Sequence, residues 1–302
     1  MKRSGALRSP SEAVHLCKQL LRECYWQGQK RLAGHGLARF RLVRSLVGLI
    51  RATIRSGVAE VLGHRMYLDA KDSAELSING IYEPLTTELV QREVRAGDVV
   101  LDIGAHIGYY TLLLARQVGH EGKVFAFEPE PGNFCLLQKN VRVNGYENVT
   151  LIPKAVAAAA GMARLYLDED NAGDCRIYDS RDGRRSLAIE TIRLDDYFAG
   201  YEGTLAFIKM DIQGAEHAAL SGMTGLLGRH REVKLVTEFW PYGLKACGVA
   251  PEDYLRLLVD LGFTLWNVDE RPVQVMPTSI AELLERYPPA FGSATNLFCV
   301  RR

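Results

Sequence analysis

The stretch Val99-Val-Leu-Asp-Ile-Gly-Ala-His-Ile-Gly-Tyr-Tyr110, followed by Lys123-Val-Phe-Ala-Phe-Glu-Pro129, limits what this chain can fold into more than any other. Val99 to Leu101 and Ile103 form a short apolar run suited to a strand buried on both faces. Gly104 to Gly108 then turn the chain, and Tyr109 to Val118 supplies a helix. A second strand over Val124 to Phe127 ends in Glu128 and Pro129, with Glu128 twenty residues past Gly108. An acidic side chain at that point accepts hydrogen bonds from both hydroxyls of a ribose. The unit therefore predicts a nucleotide-type pocket for an adenosine derivative.

The glycine spacing separates the adenosine derivatives. A dinucleotide turn follows G-x-G-x-x-G and brings backbone against a pyrophosphate at a helix N-terminus. Here the pattern is Asp102-x-Gly104-x-His106-x-Gly108. Its opening carboxylate disfavours a pyrophosphate and helps hold a cation, such as the ammonium and sulfonium of S-adenosylmethionine. A nicotinamide dinucleotide is the weaker alternative.

With these residues in place, the sequence resembles the FkbM family of S-adenosylmethionine-dependent O-methyltransferases, a branch of the Rossmann-like class I methyltransferases, from about Ile81 to Phe239. The carriers are Ile81-Tyr-Glu-Pro-Leu-Thr-Thr87, Asp102 to Thr111, Phe127-Glu-Pro129, a helix with Asn140 and Asn144, and Ile208-Lys-Met-Asp-Ile-Gln-Gly-Ala-Glu216. His106 stands where the family usually has Asn, and Gln213 where it usually has Glu. The resemblance implies an α/β fold with a seven-stranded, mostly parallel sheet, an antiparallel last strand and helices on both faces. It also implies S-adenosylmethionine as cofactor, held by Glu83, Thr87, Asp102, Gly104, His106, Gly108, Glu128, Pro129 and Asp211. Asp211 and Glu216 are the expected catalytic pair, and no metal is expected.

Along the chain the alternation continues with a helix over Gly132 to Asn144 and a third strand over Asn148 to Ile152. Ala155 to Leu167 and Ser186 to Leu194 read as β-like, separated by a polar insertion over Asp168 to Arg185 that either covers a substrate or is a charged surface loop. Asp170, Asp174, Arg176 and Arg181 in that insertion receive no role. The fourth strand, Leu205 to Met210, delivers Asp211 at its carboxyl end, and the fifth, Val233 to Thr237, delivers Glu238. Ligands of open α/β sheets bind at such ends. Asp211 can accept a proton from an attacking hydroxyl, orient it, or join Glu238 on a divalent ion. His106 either contacts the methionine portion of the cofactor or packs beside the turn, and His217 is a surface or supporting group. Glu83, Thr86 and Thr87 flank Pro84, which also suits an ordinary helix start. A helix over Pro251 to Leu261 and strands over Phe263 to Val268 and Ala294 to Val300 complete the domain.

Composition fits one large domain with an appendage: 302 residues at 47% hydrophobic content, divided as a basic helical extension over 1–60 and a methyltransferase domain over 61–302. The 6 cysteines, at 17, 24, 135, 175, 247 and 299, form no C-x-x-C pair, which favours reduced thiols in a cytoplasm. There is no evident signal peptide and no 18-residue uncharged apolar stretch. Net charge is +1, but residues 1–56 carry 12 Lys and Arg against 2 Asp and Glu, a local +10 that leaves −9 elsewhere. Between Phe40 and Arg55, Val43, Leu46, Val47, Ile50 and Ile54 share one helical face and Arg41, Arg44, Arg51 and Arg55 the other. Such a helix either covers an edge of the domain or makes peripheral contact with an anionic membrane or substrate. Nucleic acid is not an expected partner, because the acidic catalytic portion has no basic stripe with interleaved aromatics. The expected acceptor is a hydroxyl of a small molecule, sugar, glycolipid or polyketide-like compound. The alternatives are a protein or nucleic-acid nitrogen, against which the lack of an N/D-P-P-Y-type motif argues, and a non-catalytic S-adenosylmethionine-binding partner protein.

Overall fold

The computed structural model describes residues 52–168, 173–179, 183–270, 272–289 and 293–301, with residues 21, 47, 49 and 50 besides. Two short strands, β1 (Val58–Val61) and β2 (His64–Tyr67), form an antiparallel hairpin. Leu62 and Gly63 turn it with φ of 50 and 80°, the paired positive angles whose twist matches the flanking strands. Next come β3 (Val99–Ile103), β4 (Lys123–Phe127) and β5 (Val149–Ile152). β6 (Ala155–Val156), β7 (Gly161–Tyr166) and β8 (Ser186–Ile192) then build a separate three-stranded sheet. The main sheet resumes with β9 (Leu205–Met210), β10 (Lys234–Phe239), β11 (Phe263–Glu270), β12 (Val273–Pro277) and β13 (Thr295–Arg301).

Among the described residues the main sheet has eight strands in the order β12-β11-β13-β10-β9-β3-β4-β5. The seven expected strands are all in it, and β13 runs antiparallel to both neighbours. The eighth, β12, corrects the expected count. It pairs antiparallel with the outer edge of β11, and its residues are exposed or half-buried, so it lacks the apolar run that marks a buried strand. The fifth parallel strand extends to Phe239, so Glu238 lies within β10 and not beyond its end. The β-like stretch after Ile152 lies off the main sheet altogether.

Residues of β3 alternate between two cores. Leu101 and Ile103 pack on one side with Phe125, Phe127 and Ile208, while Val100 packs on the other with Val124, Phe207 and the helix Tyr109–Val118. Strand order reverses at β3, which is flanked by β4 and β9 as parallel neighbours. Their carboxyl ends open a crevice at the reversal, the usual ligand position in such sheets.

Asn140 and Asn144, on and just after the helix Pro131–Val143, tie that layer to the hairpin. The Asn140 amide donates to Tyr67 O and Ile107 O and accepts from Tyr67 N, while Asn144 pairs with the main chain of Arg65 in the same manner. Asn144 thus completes a β-type edge pairing with the hairpin. Of the basic helix expected over residues 40–55, Arg41, Arg44 and Arg51 lie outside the described residues, and Ile54 is buried. Cys17, Cys24, Asp170 and Arg181 also lie outside them. Among the described residues no helix is long and apolar enough to cross a membrane.

Candidate active site

The turn after β3 is shaped by two close approaches. Gly104 has φ 85°, and a Cβ there would stand 1.9 Å from the carbonyl oxygen of Asp211. Its amide and that of Ala105 donate to Phe127 O at 3.0 and 2.9 Å, locking the turn to the end of β4. Gly108 has φ 97°, and a Cβ would meet Leu137 at 2.7 Å, so its absence lets the helix Pro131–Val143 close on the turn. Between them His106 adopts φ 50° without being glycine, a strained conformation of the kind that gathers at functional sites.

Two cavities meet at this turn. The first is a slot lined by Ile103, Phe127, Glu128, Pro129, Leu165 and Ile212. The second, about 400 Å³, is bounded by Asp102, Lys209, Glu238, Tyr82, Tyr110 and Trp240. Gly104, His106, Asp211 and Gln213 border both.

At the slot, Glu128 is 5% exposed. Its two oxygens accept from the amides of His106 and Glu130, each at 2.8 Å. Burial pushes its carboxyl up to about 7, with the Glu130 charge adding and the two amides opposing. His106 Nε2 is buried and has no hydrogen-bond partner among the described residues. Burial also lowers its pKa, so the ring is a neutral imidazole with an open bonding position.

The wider cavity is organised around Lys209. Its side chain is 1% exposed, and Nζ has no hydrogen bond among the described residues. The ammonium lies 3.6 Å from Asp211 Oδ2 and 5.0 Å from the centroid of the Tyr110 ring. Burial alone would lower its pKa, but Asp211, Glu83, Glu238 and Asp102 together hold it above the ordinary lysine value. Asp102 accepts from Thr111 Oγ1 at 2.5 Å, and burial raises its pKa to about 6. Glu83 accepts from Tyr110 OH at 2.9 Å, with its carboxyl raised by burial and lowered in part by Lys209. Tyr82, Tyr109 and Tyr110 pack edge-to-face on one another. Opposite them, the Arg176 guanidinium stacks on Trp240 at 4.9 Å and is held by Asp174.

The expected site residues divide into four groups. Gly104, His106 and Asp211 border both cavities, Glu128 and Pro129 line the slot, and Asp102 lines the wider cavity. Glu83, Thr87, Gly108 and Glu216 line neither. Thr87 is 1% exposed; its hydroxyl donates to Tyr82 O and accepts from the Tyr109 hydroxyl, so it builds the tyrosine wall from behind. Glu216 is fully buried, and one oxygen accepts from Ile212 N at 3.0 Å and Gly214 N at 3.3 Å. Burial raises its carboxyl to about 7. Its place is behind the Asp211 loop as a brace, not at the cavity face expected of a catalytic pair. Lys209, the three tyrosines and Arg176 were not among the expected site residues. Lys209 had a sequence signal, since alternation along β9 puts it on the same face as Asp211. Among the described residues no group of three or more His, Cys, Asp or Glu is placed to hold a metal ion.

The Methyltransferase FkbM domain matches residues 102–265. The chain therefore belongs to the FkbM methyltransferase family and is an S-adenosylmethionine-dependent methyltransferase. The match begins at Asp102, so the segment Ile81 to Thr87 lies outside it. The chain is similar to the hexuronic acid methyltransferase AglP of Haloferax volcanii, 27% identical over 224 residues that cover 72% of this chain and 85% of that one. It is also similar to the 31-O-demethyl-FK506 methyltransferase FkbM of Streptomyces tacrolimicus, 28% identical over 163 residues, covering 43% of this chain and 61% of that one. Among solved structures, methyltransferase FkbM from Methylobacillus flagellatus KT aligns over 74% of this chain and 52% of that one, at 17% identity and a TM-score of 0.42.

The residues present suit the cofactor. The slot pairs apolar walls with the buried Glu128 carboxyl group, the turn offers the unbonded His106 nitrogen, and Asp102 and Asp211 supply negative charge for the ligand's two cationic centres.

Proposed function

We propose that this chain transfers the methyl group to a hydroxyl of a sugar, glycolipid or polyketide-like acceptor bound in the wider cavity. The observation that carries this reading is the position of Asp211 on the border of both cavities, beside the ammonium of Lys209. A hydroxyl there can give its proton to Asp211 while its oxygen accepts from Lys209. An anionic group would face Asp211, Glu238 and Asp102, and an apolar group would leave the buried ammonium unbonded. The aromatic rings and carboxylates of the cavity suit the C–H faces and hydroxyls of a ring polyol. The names of the two relatives, one acting on a hexuronic acid and one on 31-O-demethyl-FK506, are in keeping with an oxygen acceptor.

S-adenosylmethionine, when bound, would supply an electrophilic methyl carbon whose leaving group is a neutral thioether. The chain must align the nucleophile, exclude water and take a proton. Alignment of two reactants is worth roughly 7–11 kcal/mol, and a general base about 10²–10⁴-fold. Asp211 takes the proton; Lys209 orients the oxygen; Glu216 fixes the Asp211 loop through its backbone amides. The test is transfer of labelled methyl from S-adenosylmethionine to a panel of neutral pyranosides, uronic acids, catechols, macrolides and amines. Label on hydroxylated compounds supports the reading; label confined to amines, or tight cofactor binding with no transfer at all, contradicts it.

A further inference from the structure

Gln213 borders both cavities and has no task in the reaction above. Its backbone lies in the left-handed region at φ 53°, where glycine is the usual occupant. Held there, its side-chain nitrogen donates to Asp211 Oδ1 at 2.9 Å and to Glu238 Oε2 at 3.3 Å. In this orientation the amide nitrogen donates one N–H to each carboxyl group. Asp211 is thus gripped on both sides, with Gln213 on Oδ1 and Lys209 near Oδ2.

Two carboxylates that share a buried site repel, and burial with the Asp211 charge holds the Glu238 carboxyl well above the ordinary carboxylate range; donors placed between the pair ease that repulsion further. Hard carboxylate oxygens held this close together are what Mg²⁺ or Mn²⁺ would bind. Here one neutral side chain donates an N–H to each of the two carboxyl groups.

We propose that Gln213 is a positioning residue whose amide bridges Asp211 and Glu238 in place of a divalent cation, keeping Asp211 at the cavity junction without a metal. The task of the positioned Asp211 rests on the methyl-transfer reading; the bridge itself rests on the geometry alone. Two consequences follow. The native chain has no tight divalent site at the junction, and a carboxylate at position 213 would complete one with Asp211 and Glu238.

The test is titration of the full chain with Mn²⁺, followed by the electron paramagnetic resonance of the free ion and by calorimetry. The samples are the native chain, Gln213→Glu and the double variant Gln213→Glu with Glu238→Gln, each also titrated with S-adenosylmethionine. The expected result is no Mn²⁺ uptake by the native chain, stoichiometric uptake by Gln213→Glu at least about tenfold tighter, and loss of that uptake in the double variant. Methyl transfer by the native chain should be unaffected by EDTA. Mn²⁺ bound by the native chain and lost in Asp211→Asn would overturn the proposal, since an ion and not the amide would then bridge the pair. Folded Gln213→Glu, judged by circular dichroism, with no gain in Mn²⁺ affinity would overturn it too. If that variant does not fold, the native titration decides alone. Failure to bind S-adenosylmethionine with the Mn²⁺ pattern intact would count against the methyl-transfer reading and leave the bridge standing.

Discussion

Glu128→Gln removes a charge while keeping nearly the same shape, and its effect on stability should depend on pH with a definite sign. Glu128 is 5% exposed, and burial raises its carboxyl from the ordinary 4.5 to about 7. The folded chain therefore holds this proton more tightly than the unfolded chain. The stability that results is fully present below about pH 4.5 and is lost as the pH rises through about 7. A shift of that size corresponds to about 3 kcal/mol. The amide's nitrogen cannot accept from the second backbone N–H, a cost that does not vary with pH, whereas above the window the native chain alone carries a buried carboxylate, so the difference between the two proteins changes with pH. Urea denaturation of both proteins should show Glu128→Gln gaining up to about 3 kcal/mol relative to the native chain between about pH 5 and pH 9. Asp102 and Glu216 also have raised values, but both proteins contain them and their effects cancel in the difference. Calorimetry on the same variant should show weaker S-adenosylmethionine binding, because hydrogen bonds to a charged acceptor contribute roughly 1.5–3 kcal/mol each. A stability difference that stays constant across the range would refute the reasoning. It would mean that the amides of His106 and Glu130 offset the burial of the charge completely.

Three further changes probe the frame of the site. Gly104→Ala places a methyl group into the Asp211 carbonyl at a positive φ, so thermal denaturation should show a loss of roughly 1–3 kcal/mol or more, together with lost cofactor binding. Asn140→Ala strands polar groups of Tyr67 and Ile107 and should cost about 1–3 kcal/mol in urea denaturation while leaving the spectrum of the folded state unchanged. Lys209→Met removes the buried ammonium that we propose orients the acceptor oxygen, and labelled transfer should fall by roughly 10²–10³-fold while S-adenosylmethionine affinity holds.

Much of this arrangement was legible from short-range pattern. Val99–Ile103 reads as a strand because its apolar run is buried on both sides, and Tyr109–Val118 has the bounds the sequence suggests because glycines close it at each end. Gly104, Glu128 and Asp211 were visible since each ends a strand at the reversal of sheet order. β12 was not, because a half-exposed edge strand carries little hydrophobic signal. Glu216 was misplaced for a different reason. Its spacing from Asp211 suits a site residue, but the left-handed turns at Gln213 and Gly214 fold the loop back so that its carboxylate meets backbone amides. Thr87 likewise lies near the site in sequence order, yet its hydroxyl turns towards the tyrosine wall. Arg176 reaches the cavity only through long-range packing on Trp240, which no local pattern encodes.

The most direct test of Asp211 as the proton acceptor at the junction is one paired measurement on Asp211→Asn: labelled methyl transfer to a hydroxylated acceptor, and S-adenosylmethionine affinity by calorimetry. Turnover should fall about 10²–10⁴-fold with affinity little changed, since the amide keeps the shape and loses only the base. Unchanged turnover, or a loss explained wholly by weaker cofactor binding, would contradict the assignment.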